Sequence, residues 1–402
     1  MSEKRLINFF EKFLEKEPLF KNKKVLQSDY TPESIKHRED SVNQIAEVLA
    51  PALRLDKPSN LFLYGKTGTG KTVTVKFTTN NILEVAKSKE IPIKVVYINC
   101  KLKKVADTEY RLIAELIRKL GGSVPATGLP TEEVYKQFFN MIDTQKQILI
   151  LVLDEIDQLV DKIGDEILYS LTRINSDLQN AQVSIVGISN DLIFANNLDP
   201  RIKSSLSEEE LVFAPYNALQ LKDILHSRAT VAFKPEVITN GVIEKCAAYA
   251  AREHGDARRA LELLRVAGEI AERKGFAQIE INHLDDAEHK IEKDRIIDSI
   301  DCQPKQFHLV LYSIFSIFNK RRDYIHTGEV YDVYKAVCLQ TNQRPLTQRR
   351  VSDIIGELDM LGIINAKTIS KGRYGRTRDI TVSIPQDIKK KIDNILKNKL
   401  DL

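Results

Sequence analysis

The string Gly65-Lys66-Thr67-Gly68-Thr69-Gly70-Lys71-Thr72 constrains this chain more than any other feature. It fits G-x-x-x-x-G-K-[ST], a loop whose backbone wraps closely round phosphate oxygens with its N–H groups turned inward. Such a wrap needs glycines, which reach conformations closed to residues with a Cβ. The apolar run Leu61-Phe62-Leu63-Tyr64 precedes the loop, and a helix-compatible stretch, 72–87, follows it. That order turns the positive end of the helix dipole towards the phosphates. Gly68, Thr69 and Gly70 are expected to cradle the phosphates of ATP or ADP. Lys71 is expected to reach the β- and γ-phosphates, and Thr72 to ligate Mg²⁺.

Residues 93–98, 148–153, 183–188 and 211–213 read as further strands. The run 148–153 is apolar at every position. Strands without alternation are buried on both faces, which implies a parallel sheet covered by helices. At the end of that run come Asp154 and Glu155, where the carboxyl ends of strands face ligands in open α/β sheets. Asp154 is expected to hold the Mg²⁺ shell, and Glu155 to orient or deprotonate the attacking water. Asn190, in Gly187-Ile188-Ser189-Asn190-Asp191, is either a hydrogen-bonding partner of that water or the γ-phosphate, or an ordinary turn residue. Arg258, in Gly255-Asp256-Ala257-Arg258-Arg259-Ala260, opens an apolar helix. It could reach the γ-phosphate across a domain gap, although a solvated helix face gives the same pattern. Adjacent Arg259 reads as the solvated member of the pair. Arg201, in Leu198-Asp199-Pro200-Arg201-Ile202, is an arginine finger or a surface charge.

A length of 402 residues suggests two or three domains. Residues 1–28 read as a charged lead-in with a helix over 3–16. Residues 60–213 alternate strand and helix. From 217 to about 293 the strand signals vanish and apolar residues recur at helical spacing. The expected domains are 1–215, 216–295 and 296–402. In the last, helices over 307–318, 329–339 and 347–361 precede strands at 363–370 and 378–384, with Thr347 as N-cap of the third helix. Three helices and a hairpin form the pattern of a winged helix-turn-helix.

The chain's net charge of +4 excludes a wholesale polycation. Its distribution is uneven, for residues 296–402 carry a net +6 and the remainder −2. The four cysteines include no CxxC pair, which leaves a zinc ribbon unsupported. No apolar run reaches 18 residues, so no membrane span is expected, and a reducing, cytoplasmic, nucleoid-associated setting is.

Taken in order, these motifs resemble those of the AAA+ ATPases, and specifically the archaeal replication initiators of the origin-recognition-complex type. Tyr30-Thr31-Pro32 and His37-Arg38-Glu39 resemble that family's adenine-side element, which implies nucleotide contacts for Tyr30 and Arg38. Asp154-Glu155-Ile156-Asp157 resembles its second nucleotide motif, Ser189-Asn190-Asp191 its first sensor, and Gly255-Asp256-Ala257-Arg258 its second. The stretch 198–205 resembles the one carrying its interface arginine, which would be Arg201. Residues 107–142, read as helices 110–120 and 131–142 around a Gly/Pro-rich loop, resemble an initiator-specific insertion that touches DNA. The resemblance implies an α/β P-loop domain, an all-α lid and a winged helix. It further implies ATP with Mg²⁺, origin duplex DNA, the replicative MCM helicase and other initiator paralogues on DNA as ligands and partners.

Eight basic residues lie between Arg344 and Arg378, opposed by Asp353, Glu357 and Asp359 alone. A recognition helix reads base edges with its N-terminal residues, which makes Gln348, Arg349, Arg350 and Ser352 candidates for DNA contact. Lys371, Arg373, Tyr374 and Arg376 occupy a glycine-flanked hairpin tip suited to phosphate or minor-groove contact. Two other functions remain compatible: a signalling ATPase that regulates transcription, and a clamp-loader-like motor whose last domain is a protein collar. Against the motor stands the basic wing.

Overall fold

A computed structural model describes residues 17–28, 30–101, 106–125, 128–194, 198–206, 209–321, 325–370 and 376–400. The expected helix over 3–16 lies outside them. The chain divides into two compact units, 1–284 and 285–402.

The first unit is built on five parallel strands: β1 (Leu61–Tyr64), β2 (Ile93–Asn99), β3 (Ile148–Asp154), β4 (Gln182–Ser189) and β5 (Glu209–Val212). They lie in the order β2-β3-β4-β1-β5. All seven residues of β3 are buried, because its two faces meet different layers. Leu149, Leu151 and Leu153 join one cluster with residues of α3 (Glu109–Lys119), α4 (Thr131–Ile142), α5 (Ile156–Ile163) and α6 (Glu166–Arg173). Ile148, Ile150 and Val152 join a second with α1 (Glu39–Leu49) and α2 (Lys71–Ser88). Removing one such side chain to alanine costs about 2–5 kcal/mol. The first helix of the 107–142 segment is capped as well as packed, since Thr108 Oγ1 accepts the Arg111 N–H at 3.3 Å.

After α7 (Pro200–Leu206) and β5 come α8 (Ala218–Ala232), α9 (Val242–Arg252) and α10 (Ala257–Lys274). A capping box of Asn217 and Gln220 starts α8. Residues 17–26 pack on these helices rather than on the sheet. Lys21 and Asn22 donate N–H bonds to the Ala232 carbonyl, Phe20 lies 4.7 Å from Phe233, and Lys23 pairs with Glu269 at 2.7 Å. α11 (Ile281–Asp301) carries the chain into the second unit.

That unit holds α12 (Lys305–Lys320), β6 (Ile325–His326), α13 (Thr327–Gln340), α14 (Gln348–Met360), β7 (Ile364–Ser370), β8 (Arg376–Val382) and α15 (Gln386–Leu400). The strands form an antiparallel sheet in the order β6-β8-β7. The strand β6 had no counterpart in the strand pattern drawn from sequence, whereas the Lys389-Lys390-Lys391 run, which reads as a solvated helix face, falls on α15. Ile388, Ile392, Leu396 and Leu400 of α15 are buried in the core, which leaves Lys390 and Lys391 exposed. Thr347 caps α14 as expected, accepting the Arg350 N–H at 3.4 Å.

Candidate functional site

Sheet order explains how the nucleotide residues meet. β4 lies between β1 and β3, so Asn190, just past β4, falls between the loop after β1 and the acid ending β3. Lys71 is buried and donates to the carbonyls of Gly65 (2.6 Å) and Lys66 (2.8 Å) and to Asn190 Oδ1 (3.0 Å). Burial, reinforced by nearby Arg258 and opposed by Asp154, pushes its pKa down to about 8. The Thr72 hydroxyl donates to Asp154 Oδ2 at 2.9 Å. A hydroxyl and a carboxylate are hard oxygen donors of the kind Mg²⁺ takes, so these residues fit that cation.

Glu155 stands in the left-handed region, φ 56°, at the start of α5, and its N–H donates to Asp154 Oδ1 at 3.0 Å. A non-glycine residue there is held by its surroundings at some cost in strain. Its carboxylate pairs with Lys101 at 3.6 Å. Asn190 is held through its backbone, whose N–H donates to Asp157 Oδ1 at 3.3 Å, while the Ser189 hydroxyl reaches the same oxygen at 3.1 Å.

The lid side closes on the loop. Asp256 caps α10 by accepting the Arg258 and Arg259 N–H groups at 2.7 and 3.2 Å. The Ala257 N–H donates to the Gly68 carbonyl at 3.1 Å. A Cβ at Gly68 would lie 1.8 Å from Asp256 Oδ1, and one at Gly70 would lie 2.6 Å from the Tyr216 hydroxyl. Both glycines also have positive φ, so close approach and backbone conformation each demand them. Between loop, lid and the residues Gln27, Ser28, Tyr30 and Thr31 runs a cleft, lined also by Gly68, Gly70, Thr72, Arg228 and Arg258 among others. Among the described residues its lining includes Lys76, Arg228 and Arg258 but no carboxylate, which favours a polyanion.

The structure thus brings Gly68, Gly70, Lys71, Thr72, Asp154, Asn190 and Arg258 to one place. It corrects the reading of the arginine pair. Arg258 is exposed and lines the cleft, whereas Arg259 is 12% exposed and locked to Glu253 at 3.0 Å. The helical turn after the Asp256 cap sends the two side chains to different sides, which adjacency alone does not reveal. Arg38 spends its donors on protein: Nε reaches the Thr69 carbonyl at 3.0 Å, Nη2 the Ala214 carbonyl, and the guanidinium lies 4.1 Å over Tyr216. It braces the phosphate loop, while Tyr30 lines the cleft itself. Thr69 supplies that carbonyl and bonds Lys66 O through its hydroxyl at 2.9 Å. Arg201 is not among the cleft-lining residues; it forms a fork with Asp199 at 3.1 and 2.9 Å and holds that carboxyl down to about 2.

Sequence reasoning missed Tyr97. Its hydroxyl donates to Asp154 Oδ2, and burial together with the Asp154 charge keeps its pKa far above the usual phenol value. The register placing β2 beside β3 is the only signal, and it exists only in the folded sheet. Lys101, on Glu155, was missed for the same reason.

In the second unit, Gln348, Arg349 and Arg350 are exposed at the start of α14, and Ser352 is half-buried. Arg350 leans towards Asp353 and Glu357, each at 3.8 Å. The approach to α14 is fixed by buried Tyr334, whose oxygen accepts the Leu346 N–H at 2.9 Å. Arg378, one of the eight basic residues, turns inward: Nη1 donates to the Ser352 carbonyl at 3.1 Å, in space left by Gly356. Lys371, Arg373 and Tyr374 lie outside the described residues, as does the side chain of Arg376.

A parallel sheet with a phosphate loop, an acid-tipped third strand, a helical lid and a winged helix defines the class as a AAA+ ATPase with an appended winged domain. Family models agree: the AAA domain matches residues 54–193, the Cdc6 AAA+ ATPase-type lid domain 222–289, and the CDC6 C-terminal winged helix domain 298–391. The ORC1-type DNA replication protein of Pyrococcus abyssi is 52% identical over 383 residues, 94% of this chain and 91% of that one. ORC1-type DNA replication protein 1 of Methanosarcina mazei is 50% identical over 389 residues, 96% and 93% of the two chains. The Aeropyrum pernix ORC1 protein, solved in complex with DNA, superposes with a TM-score of 0.83 at 44% identity, covering 95% of this chain and 98% of that one. The chain belongs to the ORC1-type DNA replication protein family.

Proposed function

We propose that this protein binds origin duplex DNA through its winged helix and the 107–142 insertion, helps load the replicative MCM helicase, and uses slow ATP hydrolysis as a switch. The observation that carries the reading is the meeting of Lys71, Thr72, Asp154, Glu155 and Asn190 beside a cleft that Thr72 and Arg258 line, in a chain 44% identical to an ORC1 protein solved on DNA. The relatives' names support replication over transcriptional control.

In this reading Lys71 leaves the loop carbonyls for the β- and γ-phosphates, an exchange of buried acceptors rather than a loss of them. Thr72 and Asp154 would hold Mg²⁺, which when bound neutralises charge on the phosphates. Tyr97 and the Glu155 N–H keep the Asp154 carboxylate aimed. Glu155 takes the proton of the attacking water, and Asn190 orients that water or the γ-phosphate. Arg258, on the lid, reports the γ-phosphate to α10. Tyr30 faces the nucleoside, with Arg38 supporting the loop. Arg201 acts on the cleft of a neighbouring chain, a paralogue included, after exchanging Asp199 for phosphate.

On DNA, Gln348, Arg349, Arg350 and Ser352 face base edges, and Lys371, Arg373, Tyr374 and Arg376 face the backbone or minor groove. Such contacts release counterions, so specific binding should weaken steeply with salt. Among the described residues no helix is long and apolar enough to cross a membrane, in keeping with work at the nucleoid. Footprinting over genomic DNA with ATP and Mg²⁺ tests the proposal. The expected result is protection at replication start sites; equal protection of bulk DNA would sink it.

A further inference from the structure

The strand β5 forms one edge of the five-stranded sheet. Its Glu209 N–H donates to the Asn60 carbonyl at 3.1 Å, and the N–H of Phe213, just past its end, donates to the Tyr64 carbonyl at 2.7 Å. Successive peptide groups of a strand point to opposite sides, so Glu210 and Val212 turn their N–H and C=O groups away from β1. Among the described residues β1 is the sole neighbour of β5, and nothing pairs with that outer row. A row of unpaired peptide groups is a template for another strand.

The side chains say what that strand must carry. Leu211 packs against the cluster that holds Ile45 and Leu49 of α1, and Glu209, two residues earlier, shares its face. A groove runs there between α1 and the edge, and Val48 adds an apolar wall. Among its described lining residues Glu47, Glu209 and Glu210 are opposed by Lys57 alone. On the other face the Tyr64 hydroxyl donates to Glu210 at 3.2 Å, and Val212 is 67% exposed. Two copies of this chain are poor partners here, because pairing would set glutamates against glutamates at a strand spacing of about 4.8 Å. The same sign repels a nucleic-acid backbone. A basic strand meets neither obstacle.

We propose that the open edge of β5 docks an extended basic segment of another protein, which joins the sheet as a further strand. Consecutive Lys or Arg residues lie opposite Glu209 and Glu210, and two apolar residues cover Leu211 and Val212. Main-chain hydrogen bonds supply affinity, and the acidic rim selects the partner. The groove shares no lining residue with the nucleotide cleft, so partner and nucleotide bind side by side.

The test is fluorescence polarisation of the full chain with a labelled peptide, Thr-Lys-Arg-Val-Ile-Thr, and with its reversed sequence, which covers both strand directions. One of the two should bind, and replacing its Lys and Arg by Glu should weaken binding about tenfold or more. N-methylating alternate amides of the bound peptide should cost about tenfold for the set facing β5 and less than about twofold for the other set. Amide hydrogen exchange at Glu210 and Val212 should slow on binding. The double variant Glu209→Lys, Glu210→Lys should lose the preference for the basic peptide and keep its Mg-ATP affinity within about twofold. If that variant does not fold, the methylated peptides carry the test on the unaltered chain. No binding of either peptide, equal binding of basic and acidic forms, or equal binding of both methylated sets would overturn the proposal, the last by reducing it to charge attraction without strand addition.

Discussion

At the nucleotide cleft Lys71 is 4% exposed and Asp154 5%, each fixed by two or more hydrogen bonds to neighbouring elements. At the start of α14, Gln348, Arg349 and Arg350 are all exposed, and Arg350 reaches acids of its own helix at 3.8 Å. Under the proposed function, the difference follows from what each region does. Moving a phosphoryl group needs charges held in a low-dielectric setting before the substrate arrives. Reading a duplex needs cations that exchange water and counterions for phosphate and base edges. One region gains from burial, the other from exposure, and neutral substitutions should damage them in different ways.

The sharpest break of that comparison is Glu155→Gln. It should leave ATP affinity nearly intact and lower the hydrolysis rate on the order of 100-fold or more, read by single-turnover phosphate release. Hydrolysis at the normal rate would remove Glu155 from its role. Lys71→Ala should abolish nucleotide binding in a fluorescent-nucleotide titration, a loss of roughly 100-fold or more. In the first region pH is also a lever. Phosphates favour the charged lysine, whose pKa in the free cleft is about 8. Above that pH, binding must take up a proton, so ATP affinity should fall by up to about tenfold per pH unit. Affinity that is flat from pH 7 to 9 would show that Lys71 does not govern it.

For the second region, Arg349→Ala should cost about 1–3 kcal/mol at the preferred site and relax sequence preference, while Arg373→Ala should weaken all sequences and lower the salt slope by about one. Binding of specific and random duplexes across a salt series separates these. The smallest expected effect is Arg378→Ala. Because its guanidinium bonds the Ser352 carbonyl, the change should destabilise the chain by about 1–2 kcal/mol in urea unfolding. Its salt slope on DNA should stay unchanged; a slope that falls like that of Arg373→Ala would place Arg378 on the duplex after all.

Much of the first unit was legible because its signals are local or periodic. The phosphate loop is a continuous string, the all-apolar 148–153 run gave a doubly covered strand, and α4 spans the expected 131–142. In the second unit the helices and hairpin were legible, but β6 and the buried face of α15 were not. A two-residue strand carries no period, and α15 buries four apolar residues amid lysines whose run at 389–391 marks only the solvated face of the helix.

The linear order of residues determined which chemistry this protein carries: the phosphate loop, the acid-tipped strand, the basic tail and the sequence of domains, all of which rest on neighbours within one turn or one strand. Tertiary structure alone decided which member of a charged pair faces the ligand. Arg258 meets the cleft while Arg259 meets Glu253, Arg38 braces the loop, Arg378 holds its own helix, and Tyr97 secures Asp154. A cation's partner is set by what the fold brings within a few ångströms, and Coulomb and hydrogen-bond energies at that range depend on distance, angle and burial. None of these is written in the spacing of residues along the chain.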